Sequence, residues 1–294
     1  MTALPSHSTI SHDEIPRHTL SVAVIGAGRW GTVHGEKLKA LPGVHVAGVI
    51  DPDLLRARRL AHHLGDGTPL PFGAHLDDLP ERPAGAVVAV PLRALAPVAQ
   101  MSLSRGVHTL VEKPGAMSPG ECEALVAESR RRGVGLAVGY LERFNPTLAS
   151  VPSRPQRIVA RRSGPPRPGG APLHLDWLVH DLDLALHLMG PSLKVQGVSS
   201  APDHVEIRLE GADGRAARLT STHRALSVRR RLWADGVTTR LSDGRVADPL
   251  ARQLVAFVSM IRTGHWPEPL ARGEHALRVL RMVAEVAPSR PAAA

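Results

Sequence analysis

The chain has 294 residues, 43% of them hydrophobic, which is enough for two domains with their own cores and too apolar for a disordered protein. The formal charge of +9 is carried mostly by arginine, yet aromatic residues make up only 3% and no helix-turn-helix or zinc-finger spacing occurs, so no nucleic-acid partner is expected. Cys122 is the single cysteine, which excludes an internal disulfide and a cysteine-cluster metal site, and no apolar run approaches the roughly 20 residues that span a bilayer.

The first 19 residues lack the basic start and apolar centre of a signal peptide and read as a flexible extension; with the lone cysteine, this points to a cytoplasmic protein. From Leu20 an apolar run reaches Ile25 and enters Gly26-Ala27-Gly28-Arg29-Trp30-Gly31. This predicts a buried strand, a glycine turn and a helix. One glycine makes the turn, one lets the backbone approach a pyrophosphate and one permits close packing, while the N–H groups opening the helix favour a dianion. The helix is expected over Thr32 to Leu41, stopped by Pro42-Gly43. A second strand, Val44 to Ile50, ends at Asp51, where an acid can hold the hydroxyls of an adenosine ribose. The alternative is a glycine-rich hairpin with an incidental aspartate.

Next come a helix over Asp53 to Leu64, a short strand near Leu70 to Phe72 and a strand from Ala86 to Val90 closed by Pro91. A helix over Leu95 to Arg105, a strand from Val107 to Val111, a helix over Pro119 to Arg132 and a strand from Gly135 to Gly139 follow. This alternation predicts an α/β fold class, with a doubly wound parallel sheet over residues 20–140. Ligands of such sheets lie beyond the carboxyl ends of the strands. There the sequence places Gly26, Gly28, Arg29, Trp30, Gly31, Asp51, Val90, Pro91, Glu112 and Lys113 as the cofactor side.

Beyond Tyr140 the pattern changes, and residues 141–294 are expected to form an α+β domain with a mostly antiparallel open sheet. Gly164 to Pro172 reads as a loop and Leu173 to Met189 as an apolar helix capped by Gly190. Strands are expected over Val195 to Ser199, His204 to Leu209, Ala216 to Thr222 and Ser227 to Trp233, with Asp213-Gly214 as a hairpin turn. Helices over Gln253 to Thr263 and Gly273 to Val286 close the chain.

Some side chains here suit proton transfer. Lys113 follows a strand and precedes a proline, so it points into the cofactor crevice, and a buried lysine can relay protons. A surface strand-end lysine is the alternative. Asp176 and His180 lie four apart on a predicted helix, so the carboxylate can orient the imidazole as a general base. Asp183 falls on the same face, near enough to orient a hydroxyl; a helix with one wet face is the alternative. His187, seven residues after His180, does not complete the compact ligand cluster that zinc uses, so no metal is expected.

GAGRWG, Asp51, the EKP at Glu112 to Pro114, GYLERFNP from Gly139 to Pro146 and DWLVHDLD from Asp176 to Asp183 resemble, in this order, the motifs of the Gfo/Idh/MocA oxidoreductases. The resemblance spans residues 20–190. It implies a Rossmann domain, a second domain whose open sheet often makes oligomer contacts in dimers or tetramers, and NAD(P)-dependent oxidation or reduction of sugars and polyols. Carried over by position, Lys113, Asp176 and His180 are the catalytic set, with Arg143 and Asn145 beside the substrate pocket. ERFNP and the arginine- and proline-rich loop look like the branch that oxidises the 3-hydroxyl of UDP-N-acetylglucosamine to a ketone. In that reading Arg154, Arg157, Arg161, Arg162 and Arg167 form a binding region for the diphosphate, since guanidinium suits phosphate.

Asp51 favours NAD, while Arg56, Arg58 and Arg59 keep NADP open. A dehydrogenase or reductase of a free polyol or inositol, and a non-catalytic dinucleotide-binding sensor or scaffold, remain as alternative functions. Two departures stand out. Leu95 occupies a position where many members of the family have histidine, which implies altered packing at the cofactor pocket. The short stretch after residue 190 implies a trimmed second sheet.

Overall fold

A computed structural model of the chain describes residues 19–166, 171–241 and 248–286. The expected N-terminal extension, apart from residue 19, and Arg167 lie outside the described residues.

The first sheet is built from β1 (Leu20–Ile25), β2 (Val44–Ile50), β3 (Phe72–Gly73), β4 (Gly85–Val88), β5 (His108–Glu112) and β6 (Leu136–Gly139). Helices α1 (Arg29–Lys39), α2 (Leu54–Leu64), α3 (Leu92–Ser104) and α4 (Pro119–Arg132) connect them. These strands are parallel, in the order β6-β5-β4-β1-β2-β3. Val22, Ala23 and Val24 have no exposed surface, because the central strand is covered on both faces; that is why it reads as an unbroken apolar run. Local chemistry sets the helix ends. Asp53 accepts hydrogen bonds from the N–H groups of Leu55 and Arg56, Ser118 accepts one from Glu121, and Gly133 closes α4 at φ +66°.

The second sheet contains β7 (Arg157–Ser163), β8 (Lys194–Ala201), β9 (His204–Glu210), β10 (Ala216–Thr222), β11 (Arg229–Ala234) and β12 (Val237–Arg240), in the order β12-β11-β7-β10-β9-β8. All neighbours are antiparallel except β7 and β10. The Gly214 turn joins β9 to β10, as expected. Among the described residues the second sheet has six strands. Strand β7 is absent from the sequence reading. Its alternation is present in Ile158, Ala160 and Arg162, which face inward and are buried, but the inward arginine hides it. The helix preceding β8 opens with a π turn over His174–Leu178 and continues as α5 (Val179–Met189).

The expected division into 20–140 and 141–294 needs correction at the C-terminal end. After β12 come α6 (Pro249–Thr263), β13 (Ala271–Arg272) and α7 (Gly273–Val286). Strand β13 pairs antiparallel with β6 and becomes the seventh strand of the first sheet. Leu250, Leu254 and Phe257 of α6 pack in one cluster with Val22, Val24 and Leu38. The apolar face of α6 identifies a helix in the sequence but not the layer it covers. Leu95 is 2% exposed and packed in the core along α3.

Candidate active site

At Gly26 and Gly31 of the glycine turn the backbone leaves no room for side chains. Gly26 has φ +105°, and a Cβ there would stand 2.4 Å from the Ala89 carbonyl oxygen; a Cβ at Gly31 would stand 1.7 Å from the Gly26 oxygen. A Cβ at Gly28 would meet nothing within 4 Å, so this position faces open space. No side chain caps α1, whose first N–H groups are therefore available to an anion. The Asp51 carboxylate clasps the turn, accepting from Ala27 N–H at 2.7 Å and from Asp53 N–H at 2.9 Å. Each carboxylate oxygen retains a lone pair for a hydroxyl donor. Val90 and Pro91 follow β4, and Pro91 caps α3. Uncapped helix, open glycine and acid together fit the pyrophosphate and ribose of a dinucleotide.

Beside the turn lies a cleft of about 480 Å³. Trp30, Glu112 and Lys113 line it from the first sheet's side, and Asp176, His180 and Arg230 from the other. Lys113 Nζ donates to the Asp176 carbonyl oxygen and to Asp176 Oδ1, both at 2.8 Å. The lysine side chain is only 20% exposed, which removes the surface-lysine alternative. Asp176 sits inside the π turn that runs directly into the helix of His180, and its Oδ1 pairs with Lys113. Lys113, Asp176 and His180 meet in one cleft.

Residues 20–140 match a family model described as an oxidoreductase family with an NAD-binding Rossmann fold, Gfo/Idh/MocA. Over these residues the chain is similar to the Gfo/Idh/MocA oxidoreductases. A UDP-N-acetylglucosamine 3-dehydrogenase of Acidithiobacillus ferrooxidans is 28% identical over 197 residues, covering 64% of this chain and 61% of that protein. A myo-inositol dehydrogenase of Streptomyces leeuwenhoekii is 30% identical over 187 residues, 58% of this chain and 56% of that one. The chain thus spans about three fifths of the length of the curated relatives it matches. The solved structure of the Acidithiobacillus ferrooxidans enzyme superposes with a TM-score of 0.78 at 24% identity, covering 91% of this chain and 96% of that chain. GenD2 from gentamicin A biosynthesis, crystallised with NAD, gives 0.76 at 20% identity over 97% and 96% of the two chains. At these identities the solved structures establish the two-domain fold alone.

Within this two-domain fold, three residues expected at the substrate do not line the cleft. Arg143, Asn145 and Asp183 are buried, at 7%, 3% and 0% exposure. Arg143 Nε and Nη2 bind the Asp183 carboxylate at 2.8 to 3.0 Å, and His275 Nε2 lies 2.9 Å from it. Burial would raise the Asp183 carboxyl, but Arg143 and His275 outweigh it and hold the group below its usual range. Asp181 and Asp183 of this helix are both enclosed, while His180 faces the cleft. Asn145 donates to Glu142 at 3.1 Å, and its side-chain oxygen caps the short turn beginning at Pro146.

The expected arginine region also divides. Arg157 and Arg161 alternate with the inward residues of β7 and are exposed, and Arg154 is exposed before it. Among the described members of this set only Arg162 points inward, where it lines the cleft, binding Glu142 at 3.3 Å and Asp181 at 3.0 Å. Its cross-strand neighbour Arg230, absent from the sequence reading, reaches Glu142 at 2.8 Å. Burial alone would raise the Glu142 carboxyl; Arg162 and Arg230 lower it below the usual range. Burial prevails at Asp181 and keeps that carboxyl raised.

Sequence reasoning also missed His34. Its Nε2 lies 2.8 Å from Glu112 Oε1, and the ring is 1% exposed. The signal was present: Gly31, His34, Gly35 and Leu38 are the buried residues of α1, at the spacing of one helical face.

Proposed function

We propose that this chain is an NAD-dependent dehydrogenase that oxidises a secondary hydroxyl of a sugar or polyol to a ketone, with a nucleotide sugar of the UDP-N-acetylglucosamine type as substrate. The observation that carries the reading is the Lys113–Asp176 pair beside His180, in a cleft adjoining the uncapped start of α1. NAD held by Gly26, Gly28, Gly31 and Asp51 supplies the hydride acceptor. His180 takes the hydroxyl proton as general base. Lys113, fixed by two bonds to Asp176, donates to the substrate oxygen and holds the reacting carbon in register. Asp51 at the ribose end favours NAD over its 2′-phosphorylated form, and Arg56 is engaged by Asp53 at 3.1 Å.

The first two curated relatives divide between a nucleotide sugar and a free inositol. One physical observation favours the free polyol. Among the described residues the basic side chains facing the cleft are matched by carboxylates, with Lys113 on Asp176, Lys37 on Asp248, and Arg162 and Arg230 on Glu142. Such a wall suits an uncharged ring. Purified protein with NAD and UDP-N-acetylglucosamine is expected to give the absorbance of reduced nicotinamide, and UDP is expected to inhibit competitively. Turnover of free inositols without inhibition by UDP would select the polyol reading.

A homo-oligomer through the open face of the second sheet and a cytoplasmic location complete the proposal. Among the described residues no helix is long and apolar enough to cross a membrane.

A further inference from the structure

We infer that His34 is a positioning residue that acts through Glu112 on the backbone and side chain of Lys113. Its kinetic consequence rests on the oxidoreductase reading; its structural consequence does not.

Glu112 ends β5 and enters the cleft wall with its carboxylate folded back over its own strand end. One oxygen takes His34 Nε2 at 2.8 Å, and the other accepts the N–H of Lys113 at 3.2 Å. The slot is tight on the β6 side, where a Cβ at Gly139 would stand 3.2 Å from Glu112 Cα and Oε2. His34 Nδ1 is buried without a hydrogen-bond partner among the described residues, so the ring's bonding is committed to Glu112. A carboxylate accepts only, which puts the shared proton on Nε2.

The consequence is a continuous connection. Helix α1, whose start faces the proposed cofactor site, carries His34; His34 fixes Glu112; Glu112 fixes the Lys113 amide; and Lys113 reaches across to Asp176. Without the imidazole, the carboxylate loses its buried donor and turns toward the wet side of the cleft. The lysine backbone then loses its restraint at the point where its side chain must be aimed.

The test compares His34→Leu with His34→Gln, whose amide can donate from nearly the same place. Hydrogen exchange of the 112–116 segment is read without cofactor or substrate, and kcat and KM are read with them. Leucine is expected to speed exchange at the Lys113 amide about tenfold and to lower kcat about 10- to 100-fold, with KM changing less than about threefold. Glutamine is expected to restore both to within about threefold. In a Glu112→Gln background, His34→Leu is expected to add little, because both act along one path. Unchanged exchange in His34→Leu, or a glutamine variant as impaired as leucine, overturns the inference. If the wild type turns over no substrate, the oxidoreductase reading fails while the exchange comparison still decides this one. If the leucine variant does not fold, Glu112→Gln is measured alone: faster Lys113 exchange supports the connection and unchanged exchange refutes it.

Discussion

Lys113 Nζ stands 2.8 Å from two oxygens of Asp176, a residue 63 positions away that belongs to the π turn before α5. This pair ties the end of β5 to the helix that carries His180. Replacing Asp176 with asparagine keeps the shape but removes the charge that anchors the ammonium. We expect Asp176→Asn and Lys113→Ala to lower kcat by about 10²- to 10⁴-fold, the range for losing a positioned proton-transfer group. Steady-state kinetics with NAD at saturation checks this; a variant with full kcat would place the pair outside the chemistry.

The glycine turn gives a paired prediction. Gly31→Ala puts a Cβ 1.7 Å from a backbone oxygen and is expected to unfold the turn, seen as a lowered melting temperature and lost NAD binding. Gly28→Ala meets nothing in the free protein, so stability should change by less than about 0.5 kcal/mol. NAD affinity should nevertheless fall about tenfold or more, because the new methyl occupies the approach of the pyrophosphate. Calorimetric binding beside thermal melting separates the two effects.

The buried Arg143–Asp183–His275 group is expected to matter for folding rather than turnover. Asp183→Asn leaves Arg143 without its counter-charge and should cost about 3–5 kcal/mol at pH 7. The native carboxyl is held below its usual range, so its contribution is fully present above the unfolded value of about 4 and is lost as pH falls through the lower native value. Asp181 is shifted upward and works in the opposite direction, so the comparison is wild type against Asp183→Asn. Urea midpoints should converge as pH falls; a constant difference would contradict the assignment.

Cys122 is buried, and burial first, then Glu274 and Glu123, push its thiol up to about 12. Iodoacetamide at pH 8 is expected to leave the native protein unmodified and to alkylate it fully in urea, as mass spectrometry would show. Rapid alkylation of the native protein would mean that α4 opens far more readily than its packing implies.

Much of the first sheet was legible because strands buried on both faces are continuous apolar runs and the glycine turn has few physical solutions. Helix α4 and strand β10 fall on their predicted limits, Pro119–Arg132 and Ala216–Thr222. Strand β7 was missed because Arg162 stands at an inward position, acceptable only because Glu142 and Asp181 meet it there. Arg143, expected at the substrate from its place in a motif, and Asp183, expected there from its helix face, pair with each other across 40 residues of sequence, a contact that neither spacing nor motif discloses. The return of α6 and β13 to the first sheet was equally hidden, because an apolar face does not say which layer it covers.

The central claim is that His180 removes the hydroxyl proton while the glycine turn holds the dinucleotide. The most direct measurement pairs NAD binding with turnover in His180→Ala. The account predicts an unchanged dissociation constant for NAD with kcat lowered at least about 10²-fold. A variant that binds NAD and turns over at the wild-type rate would contradict it.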